Sequence, residues 1–243
     1  MERVRRRGAC EQAALRPAQV GGTDAIASAA GERLVAKETL YVEQLVSAQF
    51  HKQMAKTQAE AEALATLFNS RVRGGSAEQV HFVETFIYGV LDQTYTEGRA
   101  WILAEPELEG KFVKWNNNAG AVRAPKKSGG ADLLGAIRES DEEEEDEASD
   151  QGGDDDEGDT PQVFSHFTWS VTNGDLLVCD LQGVWNEVDG YLLTDPAMHR
   201  APKGGRKRRG GTDKGADGIA NFFRTHRCSA RCRELGLQRP PSA

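Results

Sequence analysis

Between Glu139 and Asp159 the chain carries 14 Asp and Glu residues and no Lys or Arg. So dense a run of like charge repels itself and offers almost nothing apolar to bury, which predicts a solvated insert or partner-binding loop. The folded body must therefore be built from the segments on either side. The run also dominates the overall charge. The whole chain is −8, yet outside residues 139–159 there are 24 acids against 30 bases, a surplus of six positive charges. The acidity belongs to the insert. The flanking sequence of this 243-residue chain is long enough for one or two domains.

Several classes drop out. No stretch of about 18 apolar residues is present, which argues against a transmembrane helix. The opening residues, MERVRRRGACEQAALRPAQ, lack the apolar run of a secretory signal. Their Arg and Ala content hints at a transit peptide, but Glu2 and Glu11 argue against one. Without an export signal, Cys10, Cys179, Cys228 and Cys232 are expected to be reduced, in an intracellular and cytoplasmic setting. Clustered cysteines there point to metal before disulfide.

The order of elements reads as α+β. Arg33–Lys37 reads as a strand, and residues 41–69 as one long helix. Leu45, Val46, Phe50, Met54, Ala61, Leu64, Ala65 and Phe68 recur at helical spacing, with Phe50 and Met54 in the core. After the break at Gly74-Gly75-Ser76, Val80–Leu91 is rich in β-branched and aromatic residues and reads as a strand. Trp101–Ala104 and Lys111–Trp115 read as strands either side of a Glu109-Gly110 turn. A short helix is expected at Asp132–Arg138, a helix end at Phe164–Val171, a buried strand at Leu176–Cys179, and short helices at Ala216–Phe223 and Ala230–Leu235. The result is two lobes, sheet-rich first and mixed second. A basic, Gly-rich insert occupies residues 203–211.

Four segments carry chemistry. In Leu34-Val35-Ala36-Lys37 an apolar strand delivers a lysine suited to pairing with phosphate. Lys114-Trp115-Asn116-Asn117-Asn118-Ala119-Gly120 is a polar turn whose amides can hold a ligand. Leu176-Leu177-Val178-Cys179-Asp180-Leu181-Gln182 ends a strand on a carboxylate, with an amide oxygen two residues on. Such donors suit a hard cation such as Mg²⁺. Thr194-Asp195-Pro196 adds a second carboxylate that could share metal binding and position a hydroxyl. Last, His226-x-Cys228-x₃-Cys232 supplies three of the four ligands of a tetrahedral zinc site. The fourth is open among His51, His81, His166, His199 and Cys179. A Gly-rich stretch, residues 210–218, precedes a helix and could hold phosphate or substrate through backbone N–H groups.

Taken in order, these segments resemble the alpha-kinase family of atypical protein kinases. The resemblance runs from about Arg33 to Leu237 across both charged inserts. It implies a two-lobed, protein-kinase-like α+β fold with ATP in the cleft and a structural zinc in the C-lobe. It divides the chain into a poorly patterned start at 1–31, a kinase domain at 32–237 and a tail at 238–243. The N-lobe would span about 32–104 and the C-lobe about 111–237. By motif, Lys37 would contact the ATP phosphates. Glu105 would hold adenine at the hinge, with Glu107 beside it. Lys114 and Asn118 would line the cleft, Asp180 and Gln182 would hold Mg²⁺, and Asp195 would position the substrate hydroxyl. His166 would join His226, Cys228 and Cys232 on zinc. The implied activity is transfer of the γ-phosphoryl of ATP to Ser or Thr of protein substrates, with no membrane partner.

Two places depart from the family pattern. Gly8-Ala9-Cys10-Glu11 puts an acid where the family carries an Arg toward ATP, which motivates an alternative reading as an inactive, ATP-binding module. At Thr212-Asp213-Lys214-Gly215, Asp stands where the family has Asn. The basic runs at Arg206–Arg209 and Arg224–Arg233 raise nucleic-acid binding as a third, weaker reading.

Overall fold

A computed structural model describes residues 16–17, 33–39, 41–91, 98–118, 159–201 and 212–240. The expected helix at Asp132–Arg138, nearly all of the acidic insert, the basic insert and Gly8–Glu11 lie outside these residues. Ten strands and five helices are described. β1 (Arg16–Pro17), β2 (Leu34–Lys37), β4 (Phe86–Leu91) and β5 (Arg99–Pro106) form an antiparallel sheet in the order β1-β4-β5-β2. The second sheet runs β3 (Val80–Phe82), β9 (Gly190–Thr194), β8 (Gln182–Asn186), β6 (Val113–Lys114). In it β3 and β9 are parallel and the other pairs antiparallel. β7 (Leu176–Cys179) and β10 (Ala197–Arg200) form a separate antiparallel pair.

The expected helix at 41–69 is two helices, α1 (Val42–Leu45) and α2 (Ala48–Asn69). Ser47 separates them: its backbone is extended and its hydroxyl accepts the Phe50 N–H, an N-cap that starts α2 afresh. Phe50 and Met54 are half-buried, not core. The buried positions on α2 are His51, Gln58, Ala61, Ala65 and Phe68. Two of these five are polar: His51 meets the Ser47 carbonyl and Gln58 reaches the cleft residue Glu105, whereas the lower half of the helix faces the hydrophobic core.

The strand expected at Val80–Leu91 breaks at Val83–Thr85 because the chain changes sheets there. β3 pairs with β9 and β4 with β5. A segment expected in the first lobe thus contributes a strand to the second sheet. The second half is also richer in sheet than expected: β8, β9 and β10 follow β7. Gly183 and the short, mixed runs of these strands hid their alternation. The helix α3 spans Asp159–Val171 and is buried from Thr160 through Thr168, as a helix threaded through a core must be. The helices α4 (Gly215–Thr225) and α5 (Ala230–Glu234) close the chain.

The main core lies between α2, α3 and the second sheet. Phe68 packs edge-on against Phe164 and Phe167 at 5.5 and 5.3 Å between ring centroids, over Val80 and Leu193. A smaller core joins Leu177, Cys179 and Ala197 to Ile219, Phe222 and Phe223 of α4.

Gly183 is required by contact. A Cβ there would lie 2.0 Å from the Leu192 carbonyl oxygen and 2.9 Å from Leu193 Cα, both backbone atoms of the paired strand. Replacing it with Ala should destabilise the fold by about 1–3 kcal/mol. Urea denaturation of Gly183→Ala measures this, and an unchanged midpoint would mean the strands separate without cost.

Candidate active site

The β-ladders bring the chemistry-bearing segments to one place. Asp180 follows Cys179 and Asp195 lies two residues before Ala197, and Cys179 and Ala197 are register partners in β7–β10. Gln182 is the register partner of both Thr194 and Lys114. Both aspartates have left-handed backbones, with φ of 59° at Asp180 and 50° at Asp195. Asp tolerates this region better than most residues, but such geometry persists only where the surroundings enforce it.

Lys37 enters from β2. Its Nζ lies 2.5 Å from Glu105 Oε2, 2.6 Å from Thr194 Oγ1 and 2.8 Å from Asp195 Oδ2. The Thr194 hydroxyl donates in turn to Glu105 Oε2. On its other oxygen Glu105 accepts from Gln58 Nε2 at 3.0 Å and Thr85 Oγ1 at 3.1 Å. Glu105 is buried, and four donors use both of its oxygens. Its carboxylate therefore faces Lys37. Glu107 lies outward, ion-paired with Arg33 at 2.8 Å on the exposed rim.

A second lysine faces the other aspartate. Lys114 Nζ is 3.1 Å from Asp180 Oδ1, and the Asp180 side chain is 17% exposed, so it is reachable from solvent. The two acids are thus each matched to a lysine from a different strand. Asp180 and Gln182 together offer oxygen donors of the kind a hard cation takes.

Two residues that the sequence reading gave other parts, Asn116 as a ligand-holding amide and His199 as a zinc candidate, instead support these groups. Asn116 is buried; it accepts the Leu181 N–H at 2.9 Å and donates to Gln162 and Ser165 of α3, both at 3.1 Å. With the Trp115 N–H on the Leu181 carbonyl at 2.8 Å, it clamps the chain just after Asp180. His199 is fully buried. Its Nδ1 accepts the Lys214 N–H at 3.1 Å, so Nε2 carries the proton and donates to the Asn118 carbonyl at 2.9 Å. Asn118 is thus held by its backbone next to the cleft. The sequence marked both as polar side chains with chemistry to offer, but not that their partners lie inside the fold.

At Asp213 the carboxylate accepts the N–H groups of Arg200 at 3.0 Å and Gly215 at 2.8 Å. Asp here supplies the acceptor that an Asn side chain would supply, so the loop leading into α4 stays anchored to β10. Arg231, in the second basic stretch, is committed within the fold to Thr160 and to Glu78, the latter at 2.5 Å.

Away from the cleft, His166, His226, Cys228 and Cys232 present ligand atoms that all lie within 4.8 Å of one another. His226 Nε2 is 3.2 Å from His166 Nδ1, Cys232 Sγ is 3.6 Å from His226 Nε2, and Cys228 Sγ is 3.8 Å from His166 Nδ1. Bonds of about 2.1 Å to nitrogen and 2.3 Å to sulfur around a tetrahedral ion separate its ligands by roughly 3.3–3.8 Å. The donor set and its spacing fit such an ion. His166 Nε2 donates to the Gln238 carbonyl at 3.1 Å, which leaves Nδ1 to face the cluster. Burial lowers the His166 pKa and pushes that of His226 down to about 4, with the nearby His166 and Arg239 adding to the shift at His226. Both rings are therefore neutral, as ligands must be. The other candidates sit elsewhere: His51 on Ser47, His81 beside Glu62, and His199 beside Cys179.

Comparison with known proteins agrees with this geometry. The family model described as "Alpha-kinase family" matches residues 18–232. Alpha-protein kinase vwkA of Dictyostelium discoideum is 28% identical over 213 residues, covering 86% of this chain and 28% of that protein. Eukaryotic elongation factor 2 kinase of Rattus norvegicus is 31% identical over 169 residues, covering 66% of this chain and 16% of that protein. This chain therefore spans under a third of the length of each. Solved alpha-kinase domains of myosin heavy chain kinase A align with TM-scores of 0.60–0.62. One in complex with AMPPCP is 28% identical and covers 86% of this chain and 65% of that one.

The Glu105 cluster has a testable cost. Glu105→Gln turns one acceptor oxygen into an NH₂ group facing donors, which should lower stability by about 1–3 kcal/mol. Urea unfolding would register it; no change would mean the four donors contribute nothing to the fold.

Proposed function

Because the chain belongs to the alpha-kinase family, we propose that it is a protein kinase that transfers the γ-phosphoryl group of Mg-ATP to Ser or Thr residues of protein substrates. The observation that carries this reading is the convergence of Lys37, Glu105, Thr194 and Asp195 beside Lys114, Asp180 and Gln182 at one end of two adjoining ladders. Phosphoryl transfer needs positioning and charge neutralisation more than covalent chemistry, and these residues supply both. The names of the matched relatives as kinases favour an active enzyme over an inactive binding module.

In this reading Lys37 binds phosphate oxygens with its ammonium group, held in the cleft by Glu105. The segment from Glu105 to Glu107 would hold adenine, and Lys114 and Asn118 would border the nucleotide. Asp180 and Gln182 would hold Mg²⁺, which neutralises charge on the phosphate oxygens. Asp195 accepts a hydrogen bond from the substrate hydroxyl and aligns it for attack. Its contact with Lys37 keeps its carboxylate oriented meanwhile. His166, His226, Cys228 and Cys232 would hold a structural Zn²⁺ that ties α3 to α5 and the segment before it. The reading includes an intracellular place of action, where these thiols stay reduced. No helix among the described residues is long and apolar enough to cross a membrane.

Phosphotransfer from labelled Mg-ATP to a general basic protein tests the function. Purified protein should give signal and Asp180→Ala should lower it by at least a hundredfold; full activity in the variant would remove the metal-holding role. The zinc assignment is tested apart from activity. One zinc per chain is expected by elemental analysis, and a strong chelator should lower Tm markedly. Protein that is zinc-free and equally stable as purified would overturn it.

A further inference from the structure

We propose that Gln58 of α2 is a positioning residue for phosphotransfer, which sets the Asp195 carboxylate and the Glu105–Lys37 pair in register with each other. The inference rests on the kinase reading above. Gln58 is 5% exposed and stands at the meeting point of four segments. Its Oε1 accepts the Asp195 backbone N–H at 3.0 Å. Its Nε2 donates to Glu105 Oε1 at 3.0 Å and to the Val83 carbonyl at 2.6 Å. With Met54, Thr85, Leu103, Glu105, Asp195 and Pro196 it lines a narrow cleft.

The demand at Asp195 is specific. The residue sits in a left-handed backbone conformation, in a turn between β9 and β10 that no helix or strand ladder stabilises at that point. Such a conformation must be over-determined by its surroundings. The Gln58 amide supplies that restraint from another element. The same amide fixes Glu105, which orients Lys37, which in turn reaches Asp195 Oδ2. One neutral side chain therefore closes a ring through the phosphate-side cation and the hydroxyl-side acid. A neutral group suits the position, since Glu105 and Asp195 already supply negative charge there and Lys37 the positive. An amide can also donate and accept at once, which a carboxylate or an ammonium cannot.

Three substitutions test this. Gln58→Met keeps the volume and removes both polar functions. It should lower kcat by ten- to a hundredfold with KM for ATP changed less than threefold, because the loss falls on Asp195 alignment. Thr85→Ala, which removes another neutral bond to Glu105 but none to Asp195, should lower kcat less than Gln58→Met does. Gln58→Glu gives the second readout. Ionised, the new carboxyl faces Glu105 and the Val83 carbonyl with no proton to donate, with Lys37 and Asp195 as its other charged neighbours. Protonated, it mimics the amide. Its activity relative to wild type should therefore rise as pH falls from 8 to about 6, whereas a role in stability alone gives parallel profiles. Wild-type protein with no phosphotransfer would overturn the kinase reading and this role together. Active wild-type protein with an unchanged kcat in Gln58→Met would overturn the role of Gln58 alone.

Discussion

The ammonium of Lys37, lodged between Glu105, Thr194 and Asp195, is the contact on which the site's geometry rests. It joins β2, β5 and the end of β9, which come from both sheets. Partly buried charge is costly unless its partners are well placed, and losing one partner leaves another stranded. The cluster is therefore a constraint on relative position more than a source of stability. It holds the cation-bearing strand over the acid-bearing turn at hydrogen-bonding distance. Lys114 and Asp180 repeat the arrangement one ladder away, so each acid is matched by a base from a different strand.

The two aspartates gain their exposure from strained backbone, and the surrounding residues hold that strain in place. Asn116 and Trp115 clamp the chain after Asp180, and Gln58 accepts the N–H of Asp195. These supports are buried polar groups with satisfied hydrogen bonds, the class that is expensive to leave half-made. Gln58 is a polar residue on the buried face of α2 for this reason. The lower half of the helix, from Ala61 to Phe68, is an ordinary core face packed on Phe164 and Phe167.

The His/Cys cluster plays the corresponding part at the far end. α5 is five residues long and buries little beyond Cys232. A helix that short has scant stability of its own. Ligands drawn from α3 and from the segment around α5 give it a fixed place, and the Gln238 carbonyl orients His166 from behind.

Residue types at short spacing were legible without coordinates. The H-x-C-x₃-C run, the strand ending on Asp180, the Thr194-Asp195-Pro196 turn and the acidic run at 139–159 each declare their chemistry within ten or twenty residues. The helices α2 and α4 and the strands β2, β5 and β7 followed from local periodicity. Long-range pairing was not legible, because it depends on where the chain returns. Nothing near Val83 signals that β3 and β4 part into different sheets, and β8 to β10 are too short and mixed to alternate visibly. For the same reason Gln58 reads as one more polar residue on a helix. Its partners, Val83, Glu105 and Asp195, lie 25, 47 and 137 positions away, and only the folded chain makes them neighbours.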